Sequence, residues 1–85
     1  MKYFVYILKS LKNSDVYIGS STEDVQNRIM LHNKGRVRST KGYRPWELLE
    51  KLEFNSRSEA FKHEHFLKTH QQKELLKIKY GAVVK

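Results

Sequence analysis

Apolar residues near the start of the chain form two short runs separated by a polar segment. The first run, residues 3–8, is apolar at successive positions, which predicts a strand buried on both faces and therefore central in its sheet. Residues 9–15 are polar and turn-rich, and residues 16–19 form the second run, so the pair predicts a β-hairpin. The tripeptide Val-Tyr-Ile occurs in both runs. If the loop holds an even number of residues, Tyr6 and Tyr17 project from the same face.

A helix is predicted after the hairpin. Residues 20–22 offer N-caps, and Ser20 with Glu23 has the spacing of a capping box. Gly35 is the predicted stop of this helix, because glycine adopts the left-handed conformation that ends many helices.

Two polar residues interrupt the apolar stripe of this first helix. The stripe contains Val25 and Ile29, and helical spacing continues it through positions 28 and 32. Those positions hold Arg28 and His32. A guanidinium and an imidazole, one turn apart, therefore lie on the side that is expected to pack on the sheet.

The middle of the chain combines a basic loop with a short apolar segment. Residues 34–46 contain five Lys and Arg residues, two glycines, one proline and no acidic residue, which is typical of an exposed loop. Residues 47–54 have helical propensity. However, Pro45 precedes them, the segment is short, and a sheet of only two strands would be marginal. We therefore predict a third strand there.

The next segment is predicted to be a helix that carries an acidic residue on its apolar side. Ser56 and Glu59 have the spacing of a capping box and mark the start of this helix. Glu64 falls within the apolar stripe. The apolar members of that stripe are Ala60, Phe61 and Leu67.

A last short helix is predicted over residues 71–79. Its apolar face would consist of Leu75, Leu76 and Ile78, and Gly81 would end it. No internal repeat beyond the tripeptide, linker or low-complexity segment interrupts the chain, so we expect residues 1–85 to form a single domain.

Composition restricts the classes of partner and site. The chain lacks cysteine, which excludes disulfides and thiolate zinc sites and is compatible with a reducing cytoplasm. The apolar start is too short for a membrane span. Seventeen Lys and Arg residues against nine Asp and Glu give a net charge of +8, which favours nucleic acid first and an anionic membrane second. No basic amphipathic helix with an aromatic face is visible, so we expect no membrane partner.

Each polar residue on an apolar face has an ordinary explanation when it is considered alone. Buried tyrosines and histidines are common in cores, an arginine can extend its stem to solvent, and Glu64 can pair with Lys68 one turn away. An unpaired carboxylate in a core, however, costs several kcal/mol. If both helices pack on the tyrosine face, five polar side chains converge, and they need a wet cleft or a function. These five are Tyr6, Tyr17, Arg28, His32 and Glu64.

The chemistry of such a cluster suits phosphodiester hydrolysis. A carboxylate can hold Mg²⁺ together with water and phosphate oxygens, and an arginine fork matches the phosphate oxygens that gain charge in the transition state. A phenol can accept a proton from water if nearby cations lower its pKa. The segment His63-Glu64-His65 resembles the start of a zinc-protease motif, but Leu67 occupies the place of the second histidine.

Over roughly residues 3–76 the chain resembles the GIY-YIG endonuclease superfamily, as a small single-domain member. Phe4 departs from the pattern, because it stands where the namesake glycine would be. The matching elements follow one another in order along the chain: Phe4-Val5-Tyr6, Tyr17-Ile18-Gly19, Arg28, His32-Asn33, Ser58-Glu59-Ala60 and Glu64.

The resemblance implies an α+β fold with a three-stranded antiparallel sheet flanked by about three helices. It also implies metal-dependent hydrolysis of DNA. By position, Glu64 would ligate Mg²⁺ or Mn²⁺ and Arg28 would hold the scissile phosphate. Tyr6 and Tyr17 would position and activate the water, with Tyr17 slightly favoured as the base, and His32 would assist. Gly19 and Asn33 match motif positions without an assigned chemical role.

Affinity for nucleic acid is expected from exposed cations, and the resemblance favours DNA over RNA as the partner. The alternative function is a nucleic-acid-binding module with little or no cleavage of its own that acts with a protein partner. The residues expected to contact phosphate are Arg36, Arg38, Lys41, Arg44 and Lys68.

Overall fold

A single antiparallel sheet forms the centre of the protein. The computed structural model describes residues 2–22, 24–81 and 83–84. Its strands are β1 (Tyr3–Ser10), β2 (Val16–Ser21) and β3 (Trp46–Phe54), in the order β2-β1-β3. The predicted hairpin is confirmed, since β1 pairs antiparallel with β2, and β1 is the central strand as its apolar sequence indicated.

Three α-helices complete the fold: α1 (Val25–Asn33), α2 (Arg57–Leu67) and α3 (His70–Tyr80). A short 3₁₀ helix, Lys41–Tyr43, interrupts the basic loop. The start of α2 is as predicted, because the Ser56 hydroxyl accepts a hydrogen bond from the Glu59 backbone N–H at 3.2 Å. Gly35 and Gly81 both have positive φ and end their helices. The predicted fold class is confirmed.

The start of α1 differs from the prediction. Ser20 and Ser21 continue β2 and pair with β1, so their backbone groups belong to the sheet. The N-cap is Asp24, whose carboxylate accepts a hydrogen bond from the Gln26 backbone N–H at 3.1 Å. Glu23, the other half of the predicted capping box, lies outside the described residues.

The helices cover opposite faces of the sheet, which corrects the expectation that both pack on the tyrosine face. Since β1 is apolar on both sides, each side needs a cover. One cluster joins one face to α2 and α3, and a second joins the tyrosine face to α1. The first contains Val5, Ile7, Val16, Ile18, Ala60, Leu67, Leu76 and Val84; the second contains Tyr6, Leu8, Val25 and Trp46.

Some residues predicted to be in the core are exposed. On α3 the buried residue is Leu76, while Leu75 and Ile78 are 57% and 79% exposed. On α2, Ala60 and Leu67 are buried but Phe61 is half-exposed. α2 and α3 therefore bury fewer of their apolar residues than the sequence pattern predicted.

Candidate active site

Tyr6 and Tyr17 lie on neighbouring strands and project from the same face. Tyr6 on β1 pairs with Gly19 on β2, and Tyr17 precedes Gly19 by two residues, so the three positions share one face. A side chain at Gly19 would collide with both rings, because its Cβ atom would lie 2.6 Å from the Tyr6 hydroxyl and 2.9 Å from Tyr17 Cε2. The absence of a side chain at Gly19 gives the two phenols their space.

A chain of buried hydrogen bonds starts at the Tyr6 hydroxyl. Tyr6 Oη lies 3.0 Å from His32 Nε2, and His32 Nδ1 lies 2.7 Å from Thr40 Oγ1. Thr40 donates its one hydroxyl proton to the Val37 carbonyl at 3.3 Å. Its oxygen therefore accepts the proton of His32 Nδ1. The neutral imidazole then has an unprotonated Nε2, and the Tyr6 hydroxyl donates to it.

Burial keeps the hydrogen-bonded side chains of Tyr6 and His32 uncharged at neutral pH. Burial, followed by the positive charge of Arg28, lowers the pKa of His32 to about 4. Burial raises the pKa of Tyr6 and outweighs the hydrogen bond and charge of Arg28, which lower it. The charges of Tyr17 and Glu64 also raise the pKa of Tyr6, so the carboxylate and the phenol lie within electrostatic range of each other.

The two tyrosines differ in their access to solvent. Tyr6 is buried, with 1% of its surface exposed, whereas Tyr17 is partly exposed. The Tyr17 ring lies beside His32, with ring centroids 5.3 Å apart, and beside Trp46, with centroids 6.1 Å apart. Of the two phenols, Tyr17 is therefore the one that a solvent molecule reaches more easily.

Arg28 lies one turn before His32 on α1 and is partly buried. Among the described residues, its Nε atom is a buried side-chain polar atom with no hydrogen-bond partner. Leaving a buried polar atom unpaired costs about 1–3 kcal/mol. Its guanidinium is close enough to Tyr6 to lower the pKa of the phenol. Arg28 thus has an unused hydrogen-bond donor next to the Tyr6 phenol.

Glu64 projects from α2 and is paired with Lys68. Lys68 Nζ lies 2.8 Å from Glu64 Oε2, and the Glu64 side chain is 18% exposed. Burial would raise the pKa of Glu64, but hydrogen bonds from Lys68 and Ser20 and the charges of Lys68 and His65 outweigh it, so the pKa lies below its usual value. Glu64 is therefore ionised at neutral pH.

An open cleft of about 630 Å³ brings Glu64 and Arg28 together. The cleft extends around the end of the edge strand β2, so it reaches α1 and α2 even though these helices cover opposite faces of the sheet. Tyr6, Tyr17 and His32 are not among its lining residues and lie on the α1 side of the sheet. The lining residues are Tyr3, Ser20, Ser21, Thr22, Arg28, Arg57, Ala60, Phe61, Glu64 and His65.

Sequence reasoning missed three residues of this region. Thr40 is fully buried in the basic loop and carries the hydrogen bond to His32. Arg57 and Phe61 line the cleft beside Glu64. The helical spacing of Arg57, Phe61 and Glu64 was visible in the sequence, and it would have placed them on one side of α2. No local pattern singled out Thr40.

Asn33 connects α1 to the start of β3. Asn33 Oδ1 accepts a hydrogen bond from the Trp46 backbone N–H at 2.5 Å, and Asn33 Nδ2 donates to the Trp46 carbonyl at 3.2 Å. The side-chain amide thus pairs with both backbone polar groups of Trp46, so Asn33 has a structural role beside the site.

The residues expected to bind nucleic acid fall into two groups. The four loop cations are exposed, which suits contact with a polyanion. The Lys68 ammonium instead pairs with the carboxylate of Glu64. The loop cations are Arg36, Arg38, Lys41 and Arg44.

Among the described residues that line the cleft, Glu64 is the one carboxylate available to a metal ion. Residues 2–22, 24–81 and 83–84 contain no group of three or more His, Asp or Glu side chains that could hold a metal. A hard divalent cation such as Mg²⁺ usually keeps several waters and binds one or two carboxylates together with phosphate. The ionised carboxylate of Glu64, in an open polar cleft, fits that kind of binding and does not fit an all-protein cage.

The fold and the site define a small nuclease-like domain, in which an arginine and a carboxylate share a cleft beside paired tyrosines. The sequence model of the GIY-YIG catalytic domain matches residues 2–79. The chain therefore belongs to the GIY-YIG family, which is a family of nucleases.

Similar proteins carry the name UPF0213. The chain is 36% identical over 78 residues to the UPF0213 protein of Staphylococcus saprophyticus, covering 91% of this chain and 93% of that one. It is 40% identical to the UPF0213 protein of Staphylococcus haemolyticus with the same coverage. The solution NMR structure of the UPF0213 protein from Bacillus halodurans superposes with a TM-score of 0.54 at 34% identity, covering 95% of this chain and 88% of that one.

The described helices are all too short or too polar to span a bilayer.

Proposed function

We propose that this protein is a metal-dependent DNA endonuclease that hydrolyses phosphodiester bonds in the cytoplasm, selects its substrate by DNA structure, and serves DNA repair or recombination. One observation carries the proposal: Arg28 and Glu64, from helices on opposite faces of the sheet, line the same cleft. Family membership supports the same conclusion, since the matched domain is a catalytic one.

Glu64 is the residue that would hold a divalent cation, Mg²⁺ or Mn²⁺. GIY-YIG nucleases generally use divalent metals, and the carboxylate of Glu64 is ionised at neutral pH. A bound cation supplies Lewis-acid polarisation of the phosphoryl group and stabilises the departing oxygen. Lys68 donates to Oε2 of Glu64 and Ser20 also hydrogen-bonds to this carboxylate, so a cation would share the carboxylate with these two donors.

Arg28 would bind the scissile phosphate. Its guanidinium has donors in a fork that matches two phosphate oxygens, and its buried Nε lacks a partner among the described residues. Because charge on those oxygens grows in the transition state, a fixed donor stabilises the transition state more than the bound substrate.

The two phenols have different parts in the proposed reaction. Tyr17, which is partly exposed, would orient the attacking water and, in its phenolate form, accept the proton of that water. Tyr6 is buried and bonded to His32, so it holds the imidazole and the guanidinium of Arg28 in position. His32 is uncharged at neutral pH and assists by accepting the hydrogen bond of the Tyr6 hydroxyl, which fixes the orientation of that phenol.

Cleavage assays with matched variants test the proposal. Labelled branched, nicked, duplex and single-stranded DNA are incubated with Mg²⁺ or Mn²⁺. Glu64→Ala and Arg28→Ala are each expected to lower the rate at least about 10²-fold, the usual loss when a charge-stabilising group is removed. Glu59→Ala, a change on the exposed side of the same helix, should retain the wild-type rate.

The Lys68–Glu64 ion pair favours a second candidate function. A carboxylate already engaged by an ammonium at 2.8 Å suits a stable surface that binds nucleic acid without cutting it. That module would act with a protein partner. If the wild type and both alanine variants bind every DNA equally and none cleaves, this second function is correct and the endonuclease proposal fails.

A further inference from the structure

An exposed aromatic ring lies in the cleft next to the proposed catalytic carboxylate. Phe61 is 49% exposed and lines the cleft together with Arg57 and Glu64. Phe66 on the same helix is equally exposed, at 50%, but it does not line the cleft. Among the large exposed apolar residues, Phe61 is thus distinguished by its charged surroundings in a cavity.

The Phe61 ring is held from one side by His65. The centroids of the two rings lie 4.2 Å apart and their planes are tilted by 49°. Since His65 is one turn further along α2, it contacts one part of the phenyl ring and leaves the remainder open to the cleft. A ring that is fixed by a neighbour loses little side-chain entropy when a ligand stacks on it.

Helical spacing places three side chains of different chemical type along one side of α2. Arg57, Phe61 and Glu64 follow one another at intervals of four and three residues, so a cation, an aromatic ring and a carboxylate lie in a row. Seven residues of α-helix extend about 10 Å. A stacked DNA strand rises about 3.4 Å per nucleotide and an unstacked nucleotide extends further, so this distance covers the scissile phosphate and the nucleotide next to it on one side.

We infer that the cleft binds one unstacked nucleotide of a DNA strand beside the scissile phosphate, with its base on the Phe61 ring and its outer phosphate on Arg57. The inference rests on the proposed function, because Glu64 marks the position of cleavage. A volume of about 630 Å³ lies within the range of small-molecule sites, about 300–1,000 Å³. A net charge of +8 and two arginines in the cleft favour a polyanion as the occupant.

This site selects its substrate by base stacking. A base inside a continuous duplex is stacked on both sides and cannot reach a protein ring without leaving the helix, which costs a few kcal/mol. A flap, gap or single strand offers an unpaired base without that cost. Aromatic stacking accepts every base, so this contact discriminates by structure and not by sequence.

Binding measurements in EDTA test the site without requiring cleavage. Fluorescein-labelled single-stranded and duplex DNA of the same sequence are titrated with wild type, Phe61→Ala and the matched control Phe66→Ala. Phe61→Ala is expected to weaken single-strand binding about 5- to 150-fold, the usual loss for one stacked base. Duplex binding by Phe61→Ala should change less than about twofold, because a duplex offers no unpaired base to stack on the ring. Phe66→Ala should bind both DNAs within about twofold of wild type, because Phe66 lies outside the cleft.

A fluorescent base locates the contact directly. Quenching of 2-aminopurine in the single strand should occur with wild type and Phe61→Trp, and it should be lost in Phe61→Ala. Arg57→Gln should weaken single-strand binding and reduce its log–log salt slope by about 0.7, as expected for one lost phosphate contact on a single strand. Far-ultraviolet circular dichroism confirms that each variant is folded.

Two outcomes overturn the inference. Equal losses of single-strand and duplex affinity in Phe61→Ala would make the ring a general contact. Unchanged affinity for both would assign the exposed ring to a protein contact instead. Failure of the proposed function looks different: wild type would bind and quench the single strand as expected and still cleave no DNA in Mg²⁺ or Mn²⁺.

Discussion

The two faces of the sheet bury different kinds of side chain. The face covered by α2 and α3 is apolar throughout its core, with Val5 and Ile7 at its centre. The tyrosine face, covered by α1, buries a phenol, an imidazole and a hydroxyl in one chain of hydrogen bonds. Buried polar groups cost free energy unless each is paired, whereas buried alkyl groups contribute in proportion to their area. We therefore expect the first face to set the stability and the second to set the pH response and the chemistry.

The largest expected effect comes from the apolar face. Ile7→Ala should lower the free energy of unfolding by about 2–5 kcal/mol, because it removes a buried side chain and leaves a cavity. Ile7→Val is the matched milder change, with an expected loss of about 0.5–1.5 kcal/mol. Urea unfolding at neutral pH measures both. A loss below 1 kcal/mol for the alanine variant would show that this face does not dominate stability.

The tyrosine face should make stability depend on pH through His32. Its pKa is about 4 in the folded protein against 6.5 for an ordinary histidine, so between these values the unfolded chain binds more protons. The free energy of unfolding should therefore fall as the pH is lowered from about 6.5 towards 4, by up to about 3 kcal/mol.

Urea unfolding of wild type and His32→Gln across this range isolates the contribution of the imidazole. The variant is expected to be less stable at pH 7 and to lose less stability on acidification. Parallel curves for the two proteins would refute the assignment of this pH dependence to His32.

A smaller effect is expected from the end of the hydrogen-bonded chain. Thr40→Val keeps the shape of the side chain but removes the oxygen that accepts the His32 Nδ1 proton. An unpaired buried N–H costs about 1–3 kcal/mol. Thr40→Ser keeps the hydroxyl and should lose less.

Nitrogen-15 NMR of the His32 ring gives a readout that stability alone does not. Wild type and Thr40→Ser should show the Nδ1–H tautomer, and Thr40→Val should shift the population towards Nε2–H. If Thr40→Val retains the wild-type tautomer, Thr40 does not fix the imidazole.

The smallest expected effect on stability concerns the Lys68–Glu64 ion pair, which lies outside both hydrophobic core clusters. Lys68→Met should change the free energy of unfolding by less than about 1 kcal/mol, because the lysine side chain is partly exposed. The pKa of the Glu64 carboxyl should rise, since Lys68 supplies hydrogen bonding and charge that lower it. NMR titration of that carboxyl measures the shift, and an unchanged pKa would contradict the pairing.

Features that depend on neighbours in the chain could be predicted from the sequence. The Ser56 cap is a contact between residues three apart, and the shared face of Tyr6 and Tyr17 follows from the pairing across a short hairpin. The central position of β1 followed from its apolar run. Gly35 and Gly81 end their helices because both have positive φ.

Features that depend on distant segments could not be predicted. Whether α2 covers the tyrosine face or the other one depends on the path of the chain between β3 and α2, which no local pattern encodes. Thr40 lies eight positions after His32 in the sequence, and the hydrogen bond between them forms only when the intervening loop is folded. The exposure of Phe61 was unexpected because helical periodicity does not show which apolar residues reach the sheet.

The paired hydrogen bonds between Asn33 and Trp46 have a consequence for divergence within the family. They fasten the chain where it leaves α1 to the chain where it enters β3, so the intervening segment emerges and returns at one fixed point. Doubling the length of such a segment costs only about 0.6 kcal/mol in closure entropy. A descendant could therefore exchange the exposed part of this basic segment for another, and so acquire a different nucleic-acid preference, without disturbing the register of β3, provided that Thr40 stays beside His32.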